Sequence, residues 1–68
     1  MKTQDFIEAV EIAVTAAMEE KELKMAYWIG RATEIADHMT EAEENKLLNT
    51  HIWHYRHWVT LRSLCQQI

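Results

Sequence analysis

The near absence of helix-breaking residues is the strongest constraint on this chain. Its 68 residues include no proline and one glycine, Gly30. Alanine, leucine, glutamate, lysine and methionine dominate the first two-thirds, and all of them favour helix. No segment alternates apolar and polar residues with the period of two that marks a strand. The sequence therefore predicts an all-α protein, and its length predicts a single helical domain over residues 1–68.

Apolar periodicity predicts the first two helices, at about residues 4–19 and 23–39, with Thr3 as the first N-cap. The apolar face of the first contains Phe6, Val10, Ala13, Val14 and Ala17. That of the second contains Met25, Trp28, Ile29, Ala32, Ile35, Ala36 and Met39. We expect the methionines Met18, Met25 and Met39 to fill the core. The charged join at residues 20–22 lacks a turn residue, so one helix over residues 4–39 is the alternative. We favour a break, because a short chain gains more core by folding back.

A capping box predicts the start of a third helix, at about residues 41–66. Thr40 is followed three residues later by Glu43, the spacing at which hydroxyl and carboxylate satisfy each other's backbone amides. The alternative is a second cap at Asn49 and Thr50, which would separate a short segment from a final helix.

The third helix is apolar around most of its circumference. One series steps by four and three residues: Leu47, His51, His54, Trp58, Leu61, Cys65 and Ile68. A second lies beside it: Leu48, Ile52, Tyr55 and Val59. Two short helices cannot cover such a surface, and large exposed apolar patches mark interaction sites. The sequence therefore predicts a three-helix protein whose last helix is covered by a second copy in a homodimer. The alternative is that this helix is a docking surface for another protein.

Charge divides the chain into two parts. Residues 1–45 carry 4 Lys/Arg and 11 Asp/Glu, a balance of −7, whereas residues 46–68 carry Lys46, Arg56 and Arg62 and no acid. This asymmetry predicts contact between the two parts, or a last helix that meets another molecule. Because cations and aromatic rings are mixed there, a nucleic-acid-binding regulator is an alternative function.

Three histidines of the last helix suggest a metal site, which we disfavour. His51, His54 and His57 are spaced three residues apart, so they spread over about 120° of the helix and one ion cannot take all three. A His-based metal or haem protein is thus a minor alternative, and we predict no cofactor. Burial of His51 and His54 would penalise the charged imidazolium, whereas a carboxylate from the acidic part would stabilise it; we favour burial.

The function predicted from these features is binding rather than catalysis. The single cysteine, Cys65, excludes an internal disulfide and fits the cytoplasm. No segment is apolar enough to span a membrane. We predict a small acidic protein-interaction module, a regulator or inhibitor that docks on a larger protein through its C-terminal helix. The predicted partner-binding or dimer-interface residues are Trp53, His54, Tyr55, Arg56, His57, Trp58, Leu61 and Arg62.

Overall fold

Four helices account for most of the chain. The computed structural model describes residues 2–66 and contains α1 (Lys2–Met18), α2 (Glu22–Asp37), α3 (Glu41–Thr50) and α4 (Ile52–Gln66). Within these residues there is no strand, so the all-α prediction is confirmed. The prediction of three helices is wrong, because the expected third helix divides at His51.

An antiparallel hairpin of α1 and α2 forms the base of the fold. The Lys2 ammonium at the start of α1 donates a 2.9 Å hydrogen bond to the carbonyl of His38, just beyond the end of α2. The predicted break between these helices is confirmed, and one helix over residues 4–39 is excluded. Because α1 begins at Lys2, Thr3 lies in its first turn and is not its N-cap.

The turn between α1 and α2 is made without glycine. Glu20 adopts a left-handed conformation with φ 61°. The amide of Lys21 donates to the Ala16 carbonyl at 2.8 Å, and the amide of Glu20 donates to the Ala17 carbonyl at 3.1 Å. This pair of bonds is the Schellman ending of a helix, in which glycine usually takes the left-handed position. Two backbone hydrogen bonds therefore end α1, although the sequence has no glycine at the left-handed position.

Small residues let α1 and α2 pack closely. Ala13 and Ala32 are fully buried, as are the larger Phe6 and Val10. The rest of the buried apolar core comprises Ile7, Ala9, Ala16, Met25, Ile29, Leu47, Trp58 and Leu61. The apolar faces predicted for the first two helices thus point inward, with Val14, Ala17, Trp28, Ile35, Ala36 and Met39 half-buried at the margin. Met18 is an exception, since it is 80% exposed and does not fill the core as expected.

The predicted capping box opens α3. The Glu43 amide donates to Thr40 Oγ1 at 3.2 Å, and the Thr40 amide donates to Glu43 Oε1 at 3.0 Å. The backbone hydrogen bond from Thr40 is the main reason that the pKa of Glu43 lies below its ordinary value of 4.5.

The break at His51 changes the direction of the chain between α3 and α4. At His51 the backbone turns to φ −127° and ψ 46°, and its amide still bonds to the Leu47 carbonyl at 2.8 Å. The break keeps Leu47 in the core while α4 packs on both α1 and α2. The alternative of a separate final helix is therefore the arrangement found, one residue later than Asn49 and Thr50 would place it.

The first series identified in the sequence faces inward along α3 and α4. Leu47, Trp58 and Leu61 are buried, and His51, His54 and Cys65 are half-buried; Ile68 lies outside the described residues. Across residues 2–66, we find no helix with the length and apolar character needed to cross a membrane.

We predict that Glu20→Gly stabilises the protein by about 0.5–1 kcal/mol. Glycine removes the penalty for a left-handed residue, offset in part by its greater freedom in the unfolded chain. Glu20→Ala is the control, because alanine keeps that penalty. Denaturant titration of the three proteins measures the free energy of unfolding. If both variants are stabilised equally, the cause is the loss of the Glu20 carboxylate and not the backbone conformation.

The capping box gives an expected pH dependence. Because the pKa of Glu43 is lowered in the fold, its contribution to stability is fully present above pH 4.5 and is lost as pH falls through the lowered value. Glu43→Gln should therefore lose less stability than the wild type below pH 4.5 in urea titrations. Thr40→Ser keeps the hydroxyl and should behave as the wild type does.

Candidate functional site

The eight residues predicted as partner-binding occupy three environments. Trp58 and Leu61 are buried in the core of the chain itself. His54, Tyr55, His57 and Arg62 are half-buried, and only Trp53 and Arg56 are exposed. The structure therefore divides the predicted site between side chains that hold α4 in place and side chains that face outward.

The outward side of α4 forms an apolar surface with one permanent cation. We define the α4 outer face as Ile52, Trp53, Arg56, His57, Thr60 and Leu64. Trp53 is 49% exposed and Leu64 48%, although large apolar side chains are usually buried. An open groove of about 410 Å³ runs along most of this face and has Leu61 as its inner wall.

Two histidines hold the Trp53 ring in place. The His57 ring lies at 4.1 Å from the Trp53 ring, centroid to centroid, with an interplanar angle of 31°. Nδ1–H of His57 donates to the Trp53 carbonyl at 2.8 Å, which fixes the imidazole in that position. The edge of His54 approaches the Trp53 ring at 4.8 Å. An exposed tryptophan supported on two sides keeps few alternative rotamers.

His54 also joins α4 to α1. Its Nε2–H donates to Glu11 Oε1 at 3.0 Å, and its side chain is only 19% exposed. His54 thus has the carboxylate partner that the sequence allowed but did not favour. Its Nδ1 is buried and has no hydrogen-bond partner among the described residues. The contact joins α4 to α1, which belongs to the acidic part of the chain.

The two arginines of α4 differ in availability. The Arg62 guanidinium lies 4.4 Å from the centroid of the Trp58 ring, a cation–π contact that holds it against the fold. Arg56 is exposed on the α4 outer face. Residues 46–66 contain no aspartate or glutamate, so this face carries positive charge that its own helix does not neutralise.

The histidines do not form a metal centre in the described part of the chain. His51 and His54 contact each other with ring centroids 6.0 Å apart. However, across residues 2–66 no three His, Cys, Asp or Glu side chains are placed to hold an ion. His51 lies at the break between α3 and α4, whereas His54 and His57 lie on α4.

A second exposed apolar surface was not predicted from the sequence. Leu23 is 90% exposed and Tyr27 is 59% exposed, both on α2. The sequence contained a signal for them, because both lie opposite the stripe that includes Met25 and Ala32 at 100° per residue. The prediction followed only the buried stripe of α2 and therefore left out Leu23 and Tyr27 on the opposite side of that helix.

The comparisons with known proteins identify no relative: the chain matches no protein-family model, no curated protein and no solved structure. The function must therefore be argued from the surfaces themselves.

We predict opposite outcomes for the two tryptophans of α4. Trp58→Ala removes a buried side chain and should cost about 3–5 kcal/mol, enough to unfold a domain with about 5 kcal/mol of stability. Trp53→Ala truncates an exposed ring and should cost less than about 1 kcal/mol. Thermal unfolding followed by circular dichroism compares them. A folded Trp58→Ala protein with an unchanged Tm would show that Trp58 does not anchor α4.

Proposed function

We propose that this chain is a non-enzymatic protein-interaction module, a regulator or inhibitor that docks on a larger protein through the α4 outer face. The observation that carries the proposal is the exposed Trp53 ring, supported by His54 and His57 beside an open groove. Tryptophan and arginine are the residues that most often dominate binding energy at protein interfaces. The α4 outer face presents one of each.

Preorganisation favours binding by this face. Ordering a free side chain at an interface costs about 0.5–1.5 kcal/mol. The ring stacking and the bond from His57 to the Trp53 carbonyl meet part of that cost within the folded chain. Trp53 therefore supplies a large, nearly fixed apolar anchor, with Leu64 near the other end of the same face.

The charge of the face indicates what kind of partner it fits. Arg56 has no carboxylate beside it on the α4 outer face, because residues 46–66 contain no acid. If two copies of the α4 outer face met, their Arg56 guanidinium groups would lie near each other with no carboxylate of that face to balance them. The fitting partner is a different protein that presents an apolar ridge or helix with a carboxylate at its edge.

Other functions have less support in the geometry. The hydrogen bonds of His54 and His57 go to Glu11 and to a backbone carbonyl, and not to a serine, threonine or cysteine that they would activate. Nucleic-acid binding would draw on Arg56 and Arg62, but the second is stacked on Trp58. The half-buried free thiol of Cys65 suits a reducing compartment, and we propose that the protein acts in the cytoplasm.

Site-specific crosslinking in the producing cells tests the proposal. A photoreactive phenylalanine analogue replaces Thr60, an exposed residue that lines the groove, in one variant and Glu44, an exposed residue of α3, in the matched control. Trp53 stays in place in both variants. We expect illumination to give a discrete crosslinked product at position 60, heavier than two copies of the chain, and no such product at position 44. Adding Arg56→Glu should reduce its yield at least threefold.

Three results would oppose the proposal. Equal crosslinking at both positions would indicate nonspecific contact. A product of twice the chain mass would make the α4 outer face a self-interface. Crosslinking to nucleic acid that disappears at high salt would favour the alternative function.

A further inference from the structure

The second exposed surface has an apolar half and an acidic half. We define the α2 outer face as Leu23, Ala26, Tyr27, Gly30 and Glu34, all of them exposed. Leu23 and Tyr27 make its N-terminal half apolar, and Glu34 makes its C-terminal half acidic. The core contacts of α2 are made by its opposite side, through Met25, Ile29 and Ala32. Nothing in the described chain covers this face.

No contact within residues 2–66 requires glycine at position 30. A glycine inside a helix costs about 0.5–1 kcal/mol relative to alanine. A Cβ atom added at Gly30 would meet nothing within 4 Å, and its φ is not positive. Neither crowding nor backbone conformation in the monomer therefore requires glycine here. A close approach by another molecule at this position would require it.

Tyr27 and Gly30 are complementary in size, because one is a bulky ring and the other has no side chain. They are three residues apart, and therefore neighbours on one side of the helix. If two copies of α2 pair antiparallel about a two-fold axis midway between these residues, each Tyr27 lies level with the other copy's Gly30. The ring then packs where the second helix has no side chain. The Tyr27 ring is also supported edge-on by Trp28, at 5.4 Å between centroids.

Charge favours the same antiparallel arrangement. Within residues 2–66 neither Lys24 nor Glu34 forms an ion pair. The two-fold axis that matches Tyr27 with Gly30 brings Lys24 within one residue of the other copy's Glu34, once on each side. A parallel pairing would set Lys24 against Lys24 and Glu34 against Glu34. The α2 outer face thus has an acid within it, Glu34, and a lysine beside it, Lys24, whereas the α4 outer face has no acid.

We propose that a second copy of this chain covers the α2 outer face, in an antiparallel pairing of α2 with α2 centred between Tyr27 and Gly30. The sequence predicted self-association through the last helix; the charges assign it to α2 instead. The proposal does not rest on the proposed function, because the two faces belong to different helices. A dimer formed in this way carries two α4 outer faces and is bivalent for its partner.

The expected dimer is weak. Its contact is about one helix wide, less than the roughly 800 Å² per partner of standard stable interfaces. We therefore expect dissociation in the micromolar range. Sedimentation equilibrium at about 1–500 µM should show a reversible monomer–dimer transition in this range.

Substitution of Gly30 gives the sharpest test, because it should stabilise the monomer and weaken the dimer. Gly30→Ala should raise the Tm of the monomer in dilute solution, since alanine favours helix. The same methyl group lies under the Tyr27 ring of the second copy, so it should raise the dimer Kd about threefold or more. Gly30→Leu should raise it at least tenfold while the circular dichroism spectrum stays that of a folded helical protein.

Charge exchange supplies the matched control. Lys24→Glu and Glu34→Lys should each weaken the dimer, and the double variant Lys24→Glu, Glu34→Lys should restore at least half of the lost affinity. A wild-type protein that stays monomeric at 500 µM would overturn the proposal. So would a dimer unaffected by Gly30→Leu; if Trp53→Ala dissociates that dimer, the self-interface is the α4 outer face and the proposed function fails as well.

Discussion

The contacts of Trp58 are the interaction on which the rest of the structure depends. Its ring meets Phe6 of α1 edge to face at 5.4 Å, and its indole Nε1–H donates to Thr33 Oγ1 of α2 at 3.0 Å. Tyr55 and Arg62 pack on the same ring from α4 itself. One side chain therefore fixes the last helix against both helices of the hairpin. A chain of 68 residues buries little apolar surface in total, so the orientation of α4, and with it the set of residues left outside, follows from this contact.

Once Trp58 points inward, the α4 outer face is determined. Trp53 lies 140° away around α4 and must face solvent, where His54 and His57 support it. On α2, burial of Met25 and Ala32 forces Leu23 and Tyr27 outward in the same way. The faces differ in charge: that of α4 has a cation and no acid, and that of α2 has Lys24 beside it and Glu34 within it. This difference separates a surface suited to a foreign partner from one suited to a second copy.

Local chemistry made parts of this structure predictable. The capping box at Thr40 depends on atoms three residues apart, and the apolar faces of the first two helices depend on a fixed 100° per residue. Within α4, Trp58, Leu61 and Cys65 keep the inward spacing of three and four residues that the sequence showed. The turn at Glu20 could not be predicted in this way, because glutamate does not favour the left-handed conformation that it adopts there. The packing of α1 on α2 holds it in that conformation. The candidate site was half predictable for the same reason: periodicity identified an apolar helix but not which of its aromatic residues the core would take.

The sequence by itself determined that this protein is helical and that a helix begins at Glu41, directly after the Thr40 cap. These follow from propensity and spacing, which act between residues close in the chain. Tertiary structure decided where the last helix breaks, that His54 meets Glu11, and that Trp58 is buried while Trp53 is exposed. Each of these depends on how α4 packs on α1 and α2: the core takes one of the two tryptophans of α4, and the other is left for solvent or a partner.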